Sequence, residues 1–443
     1  FVNIKVDREE RPDLDLYYMS VCQALTGSGG WPLTVFLTPE RKPFFAGTYF
    51  PKTGRYGRAG LLDLLPRIAG IWKTRRADVI ASAAEIARAP GGGRTGPDGV
   101  EGASLDPALL DEAFQGLAGA FDPEHGGFGS APKFPIPHHL LFLLRYWRRT
   151  GEGMALAMVE KTLGAMRRGG IFDQLGFGFH RYSTDARWAV PHFEKMLYDQ
   201  ALLAMAYTEA HQATGMAVHR AAAEDIFTYV FRDLADAHGT FASSEDADAA
   251  GEEGSFYVWT EEEVRRILPR DEAELAIRSY RIGRDGPTVL TLAEDPAEGD
   301  PRIAEIREKM RFEREKWPKP ARDPKVLADW NGLMIAALAK AARAFGRTDF
   351  LAAAARAADR LLARLVLPDG SFLRCLDGEE ARIPAFLDDH AFLAWGLLEL
   401  YEAGFEARYL EAAAALVRRA VARFWDEASG GFFFAPDFMA SEV

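Results

Sequence analysis

The sequence predicts a mainly α protein in two parts: a small α/β module over residues 1–88, then an α/α toroid of helical hairpins over residues 105–443. Three observations predict it. The first part runs strand, helix, hairpin, helix; a Gly- and Pro-dense stretch at 89–104 follows; and the Ala/Leu-rich helical segments beyond end repeatedly in an Asp/Gly turn and an aromatic residue.

In the first part, Phe1–Asp7 alternates as a strand and Leu14–Leu25 reads as a helix. Leu33–Leu37 and Pro43–Tyr49 are apolar, β-branched or aromatic runs on either side of a Thr38–Lys42 turn, which predicts a hairpin, and Leu61–Arg88 reads as a closing helix. Trp31-Pro32 stands just before the first hairpin strand, where a proline is kept out of the ladder and is a candidate for a cis peptide bond. The stretch APGGGRTGPDGVEGAS reads as a linker.

Nine helices are predicted in the second part, at roughly 106–120, 137–149, 153–168, 192–213, 217–237, 329–345, 348–366, 388–403 and 408–425. The recurring punctuation is Phe121-Asp122…Gly127-Phe128, Gly169-Gly170-Ile171-Phe172, Ala237-His238-Gly239-Thr240-Phe241, Pro368-Asp369-Gly370-Ser371-Phe372 and Trp425-Asp426…Gly431-Phe432. Its spacing is irregular, which suits a toroid with unequal insertions better than a regular solenoid. The largest insertion spans about 242–326, with an acidic loop, a short FYVW strand and charged helices.

Composition narrows the function. A net charge of −12 without a basic run lacks the electrostatic footprint of a nucleic-acid binder. No apolar run approaches the roughly 20 residues of a spanning helix, and the N-terminal residues are not a signal peptide, so no membrane is expected. Cys22 and Cys375 are the two cysteines, far apart and without a C-x-x-C, which predicts neither disulfide framework nor zinc site. A reducing, cytoplasmic location fits that usage. No cofactor and no metal are expected. The chain opens without Met inside a strand-like run, so it reads as a fragment or processed product.

The stretches FVNIKVDREERPDLDLYYM, GSGGWPLTVFLTPERKPFFAGTYFP, GGIFDQLGFGFHRYSTDARWAVPHFEKMLYDQA, SSEDADAAGEEGSFYVWT and KVLADWNGLMIAALA together resemble the family of thioredoxin-domain-containing proteins related to spermatogenesis-associated protein 20. The resemblance covers nearly the whole chain. It implies a thioredoxin-like module, here lacking its first strand and helix, joined to a six-hairpin α/α barrel similar to N-acylglucosamine 2-epimerases and glycosidases. It also implies a Cys-Trp-Cys-type segment upstream of Phe1 and further hairpins beyond Val443, so that redox centre and barrel closure would both lie outside this chain.

Four polar clusters are candidates for chemistry. With Pro191 in the first turn of a helix, about 100° per residue places His192, Lys195 and Asp199 within an arc of about 60°, continued by apolar Leu202, Leu203 and Ala206. Ionisable groups against a buried surface have shifted pKa values. The preceding loop adds Asp173, His180, Arg181 and Tyr182. His180 and His192 could exchange protons with a sugar carbon or hydroxyl, with Asp199 orienting one imidazole; an ion-pair network holding the loop is the alternative. Glu245, Asp246 and Asp248 could point into the barrel as acid or base, or form a solvated loop. An EF-hand counted from Asp246 would put its bidentate Glu at Tyr257 and its fifth ligand at Ala250, so that pattern fails. Asp329 suits an N-cap, while Trp330 beside Asn331 is an aromatic platform and amide suited to a sugar ring. In Asp388-Asp389-His390 one aspartate caps a helix and the other, with His390, faces the cavity; the comparable family position more often reads acidic then aromatic.

These residues and the resemblance imply a carbohydrate-directed enzyme, an isomerase or epimerase working through His or a glycoside hydrolase working through two carboxylates, with a small-molecule or carbohydrate ligand. Two other classes stand beside it. One is a thiol-disulfide oxidoreductase or redox-linked binding protein whose cysteine motif lies upstream; within this chain Cys22 reads as a buried small hydrophobe. The other is a non-catalytic scaffold.

Overall fold

The computed structural model describes residues 1–55, 57, 59–88, 106–294, 300–428 and 430–435. The expected linker at 89–104 lies outside the described residues. Two compact units emerge, one of Phe1–Leu105 with Phe424–Val443 and the other of Asp106–Arg423.

In the first unit, α1 (Pro12–Thr26) starts on a proline and stops at Gly27, whose left-handed φ of 75° returns an N–H to the carbonyl of Gln23. Strands β1 (Thr34–Leu37) and β2 (Pro43–Gly47) form the expected antiparallel hairpin, and the Trp31-Pro32 bond is cis. The expected closing helix is two helices, α2 (Leu61–Thr74) and α3 (Arg76–Ile86), separated by Arg75. Phe1–Asp7 does not form the expected strand: β1 and β2 pair with each other alone among the described residues, and Phe1, Val2 and Ile4 stand exposed.

The second unit is built from α4 (Ala108–Ala120), α5 (Pro137–Thr150), α6 (Gly153–Arg168), α7 (Leu197–Thr214), α8 (Ala217–Tyr229), α9 (Glu261–Ile267), α10 (Arg270–Ser279), α11 (Arg302–Arg314), α12 (Ala328–Phe345), α13 (Thr348–Leu365), α14 (Leu387–Gly404) and α15 (Ala407–Phe424). Helices α5, α7, α12 and α14 are the inner ones, each packed on the next. They run parallel, because a ladder of ion pairs crosses them at matching heights: Arg145–Glu209 at 2.8 Å, Glu209–Lys340 at 3.2 Å and Lys340–Glu399 at 3.3 Å. Helix α12 is buried nearly all round, as its Ala-rich sequence requires of a central helix. Gly332 and Gly396 let α12 and α14 touch backbone to backbone; a Cβ on Gly332 would lie 2.5 Å from the Phe392 carbonyl carbon.

The repeat has one short and one long connection. Each inner helix passes to its outer partner through two residues, at 151–152, 215–216, 346–347 and 405–406, and the first of each pair is left-handed: Gly151, Gly215, Gly346 and Phe405. Each long return begins with the Asp/Gly turn, closed by a single β-bridge: Phe121 to Phe128, Phe172 to Phe179, Ala235 to Phe241, Val366 to Phe372 and Trp425 to Phe432. The expected helix 217–237 ends early in a π-helical turn, Val230–Leu234, that leads into the third of these bridges. The chain is thus a mainly α arrangement of successive hairpins of the α/α-toroid type.

The long returns also carry short strands: β3 (Tyr182–Ser183), β4 (Pro191–His192), β5 (Lys195–Met196), β6 (Ser244–Glu245), β7 (Asp248–Ala249), β8 (Glu252–Glu253), β9 (Val258–Trp259), β10 (Thr288–Val289), β11 (Arg322–Asp323), β12 (Val326–Leu327), β13 (Leu373–Asp377) and β14 (Glu380–Pro384). Strands β5, β6 and β11 make one small sheet and β12, β13 and β14 another. The insertion's helices α9, α10 and α11 bury their own core of Trp259, Val264, Leu275, Tyr280, Ile306 and Met310. Among the described residues no helix is long and apolar enough to cross a membrane.

Candidate ligand site at the inner helix ends

The N-termini of the inner helices gather the polar residues, and the fourth position of three of them is committed to architecture. Gln200 of α7 accepts from the Phe179 N–H and donates to the Phe179 carbonyl, at 2.8 and 2.7 Å. Asn331 of α12 does the same to Phe241, at 3.0 and 2.9 Å, and also donates to the Leu327 carbonyl. His390 of α14 packs edge-on against Phe372 and bonds the Phe386 carbonyl through Nδ1. Each clamps the aromatic that closes the preceding Asp/Gly turn. The expected ligand roles of Asn331 and His390 are corrected accordingly: Asn331 is fully buried with its amide saturated by backbone, and burial lowers the His390 imidazole to about 4.

The expected helix start at Pro191 is also corrected. Pro191-His192 and Lys195-Met196 are strands, pairing with Tyr182-Ser183 and Ser244-Glu245, and α7 begins at Leu197. A helix would have put His192 and Lys195 on one face; extended backbone alternates, so His192 and Glu194 face one way and Phe193 and Lys195 the other.

On the Lys195 side lies a buried charge cluster. Lys195 donates to Asp173 and to the Phe177 carbonyl, both at 2.9 Å, and Arg314 meets Asp173 with two bonds of 2.8 Å. Burial raises the Asp173 carboxyl, but Arg314 and Lys195 together hold it well below the usual range. Asp173 also accepts from the Leu175 and Gly176 amides, so it is the turn aspartate of its repeat, as Asp122 with Lys133 is of the one before. His180 is 1% exposed, bonded to the Phe193 carbonyl and packed on Tyr257; burial first, then Lys195, lowers it to about 3. Glu245 accepts from the Tyr229 hydroxyl at 2.6 Å and is raised by burial. Asp173, His180, Lys195 and Glu245 therefore form a closed network, and His180 does not meet His192 as expected. Asp246 and Asp248 are exposed in their loop, the Asp248 N–H bonding the Asp246 carboxylate, so the acid–base roles expected of them have no enclosed setting.

On the other side the groups remain half accessible. Arg181 pairs with Glu194 at 2.8 Å and with Tyr198, and Glu194 lies 3.3 Å from His192 Nε2. His192 Nδ1 meets Glu253 at 2.7 Å, its ring stacks on Tyr182, and Tyr182 stacks on Phe134. Tyr198 stands edge-on to Trp330 at 4.8 Å, joining the ends of α7 and α12. Hydrogen bonding to Glu194, opposed by burial and aided by Glu253, raises the His192 imidazole; the same bond, with Arg181, lowers Glu194 to about 2. Asp199, third residue of α7, is 6% exposed, and its Oδ2 is buried without a hydrogen-bond partner among the described residues. Burial raises it well above the usual carboxylate range, Arg181 pulling back and Glu194 adding to the rise. A carboxyl so placed holds its proton to higher pH than an exposed aspartate does.

Further round, Arg374 of β13 bridges Asp329 at 3.0 Å and Asp389 at 2.8 Å. Asp389, the third residue of α14, accepts from the Phe386 N–H at 2.8 Å. Asp329 does not cap as expected, because α12 starts at Ala328 after Leu327 and Asp329 sits inside the first turn. Burial raises Asp389 and Asp388, with Asp329 beside each adding to it.

Thus Arg181, Tyr182, His192, Asp199 and Trp330 come together, while Asp173, His180 and Lys195 are buried, with Glu245 half-buried, on the Lys195 side. Phe134, Glu194, Tyr198 and Glu253 belong to the group and escaped the sequence. Glu194 was legible only from a two-residue period. Among the described residues no set of three His, Cys, Asp or Glu side chains is placed to hold a metal ion.

Helical hairpins presenting polar inner ends, with an α/β module preceding them in sequence, define a two-part thioredoxin-related and α/α-toroid protein. Residues 1–89 match the family described as Thioredox_DsbH, a protein of unknown function, DUF255. Spermatogenesis-associated protein 20 of Homo sapiens is 38% identical over 98% of this chain and 62% of its own length. The Mus musculus protein of that name is 36% identical over the same shares. This chain is similar to these relatives along nearly its whole length and spans about 62% of theirs. Among solved structures, a D-mannose isomerase is similar with a TM-score of 0.49 at 13% identity, covering 75% of each chain. A cellobiose 2-epimerase from Spirochaeta thermophila gives 0.35 at 16% identity over 75% of this chain and 90% of its own. Likenesses of this strength carry no chemistry across.

Proposed function

We propose that the inner helix ends bind a carbohydrate or similar polar ring and pass protons to it, with Asp199 as the acid. One observation carries the reading: a carboxyl buried on the first turn of α7, raised by that burial, with an oxygen that no described residue bonds. Such a group costs stability and is useful where a proton is to be given to a ligand oxygen. The faces of Tyr182 and Trp330 supply stacking surface for a sugar ring, and Arg181 with Glu194 supplies donors and acceptors for its hydroxyls. His192, held between Glu194 and Glu253, is the histidine with access to a ligand and serves as the second proton-carrying group. Of the chemistries the sequence allows, proton transfer through one carboxyl and one histidine fits this geometry better than two free carboxylates.

The test is calorimetric titration of the protein with a panel of N-acyl hexosamines and short glycans, repeated on Asp199→Asn and Trp330→Ala. Binding by at least one class is expected, weakened about tenfold or more in Trp330→Ala, with turnover lost in Asp199→Asn. Silence across the panel, or binding indifferent to both substitutions, removes the reading.

A further inference from the structure

A cleft of about 250 Å³ lies between α10, the start of α11 and the end of α6. Leu275, Leu292 and Ile303 are among its apolar lining, and Arg167, Gln174, Arg278, Tyr280 and Arg307 are among its polar lining. The acidic groups nearby are already engaged: Asp225 by Arg167 at 2.8 Å and Asp300 by Arg302 at 2.8 Å, which leaves Glu294 on the exposed rim.

Two donors border it. Arg307 lies over the Phe177 ring, and its Nε stands 3.7 Å from a Glu308 carboxylate oxygen without a hydrogen bond among the described residues. Tyr280 is 1% exposed, borders the cleft, and its hydroxyl makes no hydrogen bond among the described residues. Burial pushes that phenol up to about 12, so it stays a donor at neutral pH. Buried polar groups ordinarily find partners. A guanidinium and a phenol beside Leu275, Leu292 and Ile303 match an anionic head on an apolar body.

We propose that this cleft binds a small carboxylate with an apolar body, its head taken by Arg307 and the Tyr280 hydroxyl and its body lying on Leu275, Leu292 and Ile303. Calorimetric titration with benzoate tests it, with acetate lacking the body and benzamide lacking the charge. Benzoate should bind more tightly than either, and Tyr280→Phe and Arg307→Gln should each weaken it about tenfold or more. Tyr280→Phe removes an oxygen the fold does not use, so the folded protein survives the change. Absence of heat with benzoate, or equal affinity in both variants, overturns the proposal. So does loss of benzoate binding in Asp199→Asn with retention in Tyr280→Phe, which would move the binding to the inner helix ends.

Discussion

Replacing Asp199 by Asn should stabilise the helical unit, and by an amount that grows as pH rises. The native carboxyl keeps its proton well above 3.8, whereas the unfolded chain releases it near that ordinary value. Between the two, the unfolded state binds fewer protons than the native state, so wild-type stability falls with pH at about 1.4 kcal/mol per unit for this single group. Asn does not titrate. At about pH 4 the amide and the protonated acid are near-isosteres and the two proteins should melt together; through the window above, the variant should gain by that slope until the native carboxyl itself ionises.

The neighbouring groups do not confuse the sign. His192 is raised, so its contribution is complete below its unfolded value and is lost as pH rises through the native one; Glu194 is lowered to about 2, so its contribution is lost only as pH falls. Both act equally in the two proteins while Asp199 is neutral. Paired calorimetric melts from about pH 4 to pH 8 at fixed ionic strength read the difference. A stability difference flat with pH, or a variant less stable throughout, would refute the buried neutral carboxyl and with it the proposed acid.

Three further outcomes follow from the same geometry. Asn331→Leu leaves the Phe241 N–H and carbonyl unpaired and should cost about 1–3 kcal/mol for each group, measured by chemical unfolding; no loss would show the clamp to be incidental. Asp173→Leu strands Lys195 and Arg314 without their carboxylate and should cost about 3–5 kcal/mol in the same assay, an unchanged midpoint being the contrary result. Phe405→Gly should raise stability by about 1 kcal/mol in thermal melts, because Phe405 is 79% exposed and holds the left-handed position that glycine fills in the three sister connections.

The helices were legible because their signals are local. Ala/Leu periodicity, glycine stops and the Asp/Gly-aromatic punctuation each sit within a few residues, and the bounds of α6, α7 and α14 differ from expectation at the start by at most five residues. Pairing was not legible where it depends on distant chain. A run of six residues, Pro191–Met196, fits a helical first turn through its proline and an extended strand equally well; what decides is hydrogen bonding to Tyr182-Ser183 and Ser244-Glu245, which no local pattern announces. That decision moved Lys195 away from His192 and brought Glu194 beside it. Arg314 and Arg374 escaped for the same reason: they reach Asp173 and Asp329 across 141 and 45 residues.

The repeat explains why polar side chains can collect at these ends without weakening the fold. The fourth residue of α7, α12 and α14 is fixed by its aromatic partner, and the turn aspartates Asp122 and Asp173 are fixed by buried lysines. The second and third residues carry no such common duty, and they differ most: Tyr198 and Asp199 in α7, Asp329 and Trp330 in α12, Asp388 and Asp389 in α14. Around α12 and α14 these positions are tied down by Arg374, which neutralises Asp329 and Asp389 together. Around α7 Asp199 has no such cation bonded to it; Arg181 is turned to Glu194 and Tyr198 instead. An inner end whose buried carboxyl leaves one oxygen without a hydrogen bond among the described residues is an expensive arrangement for a scaffold, since an apolar residue there would fold better. That asymmetry between α7 and its two neighbours is the strongest physical reason to assign the proposed acid to Asp199.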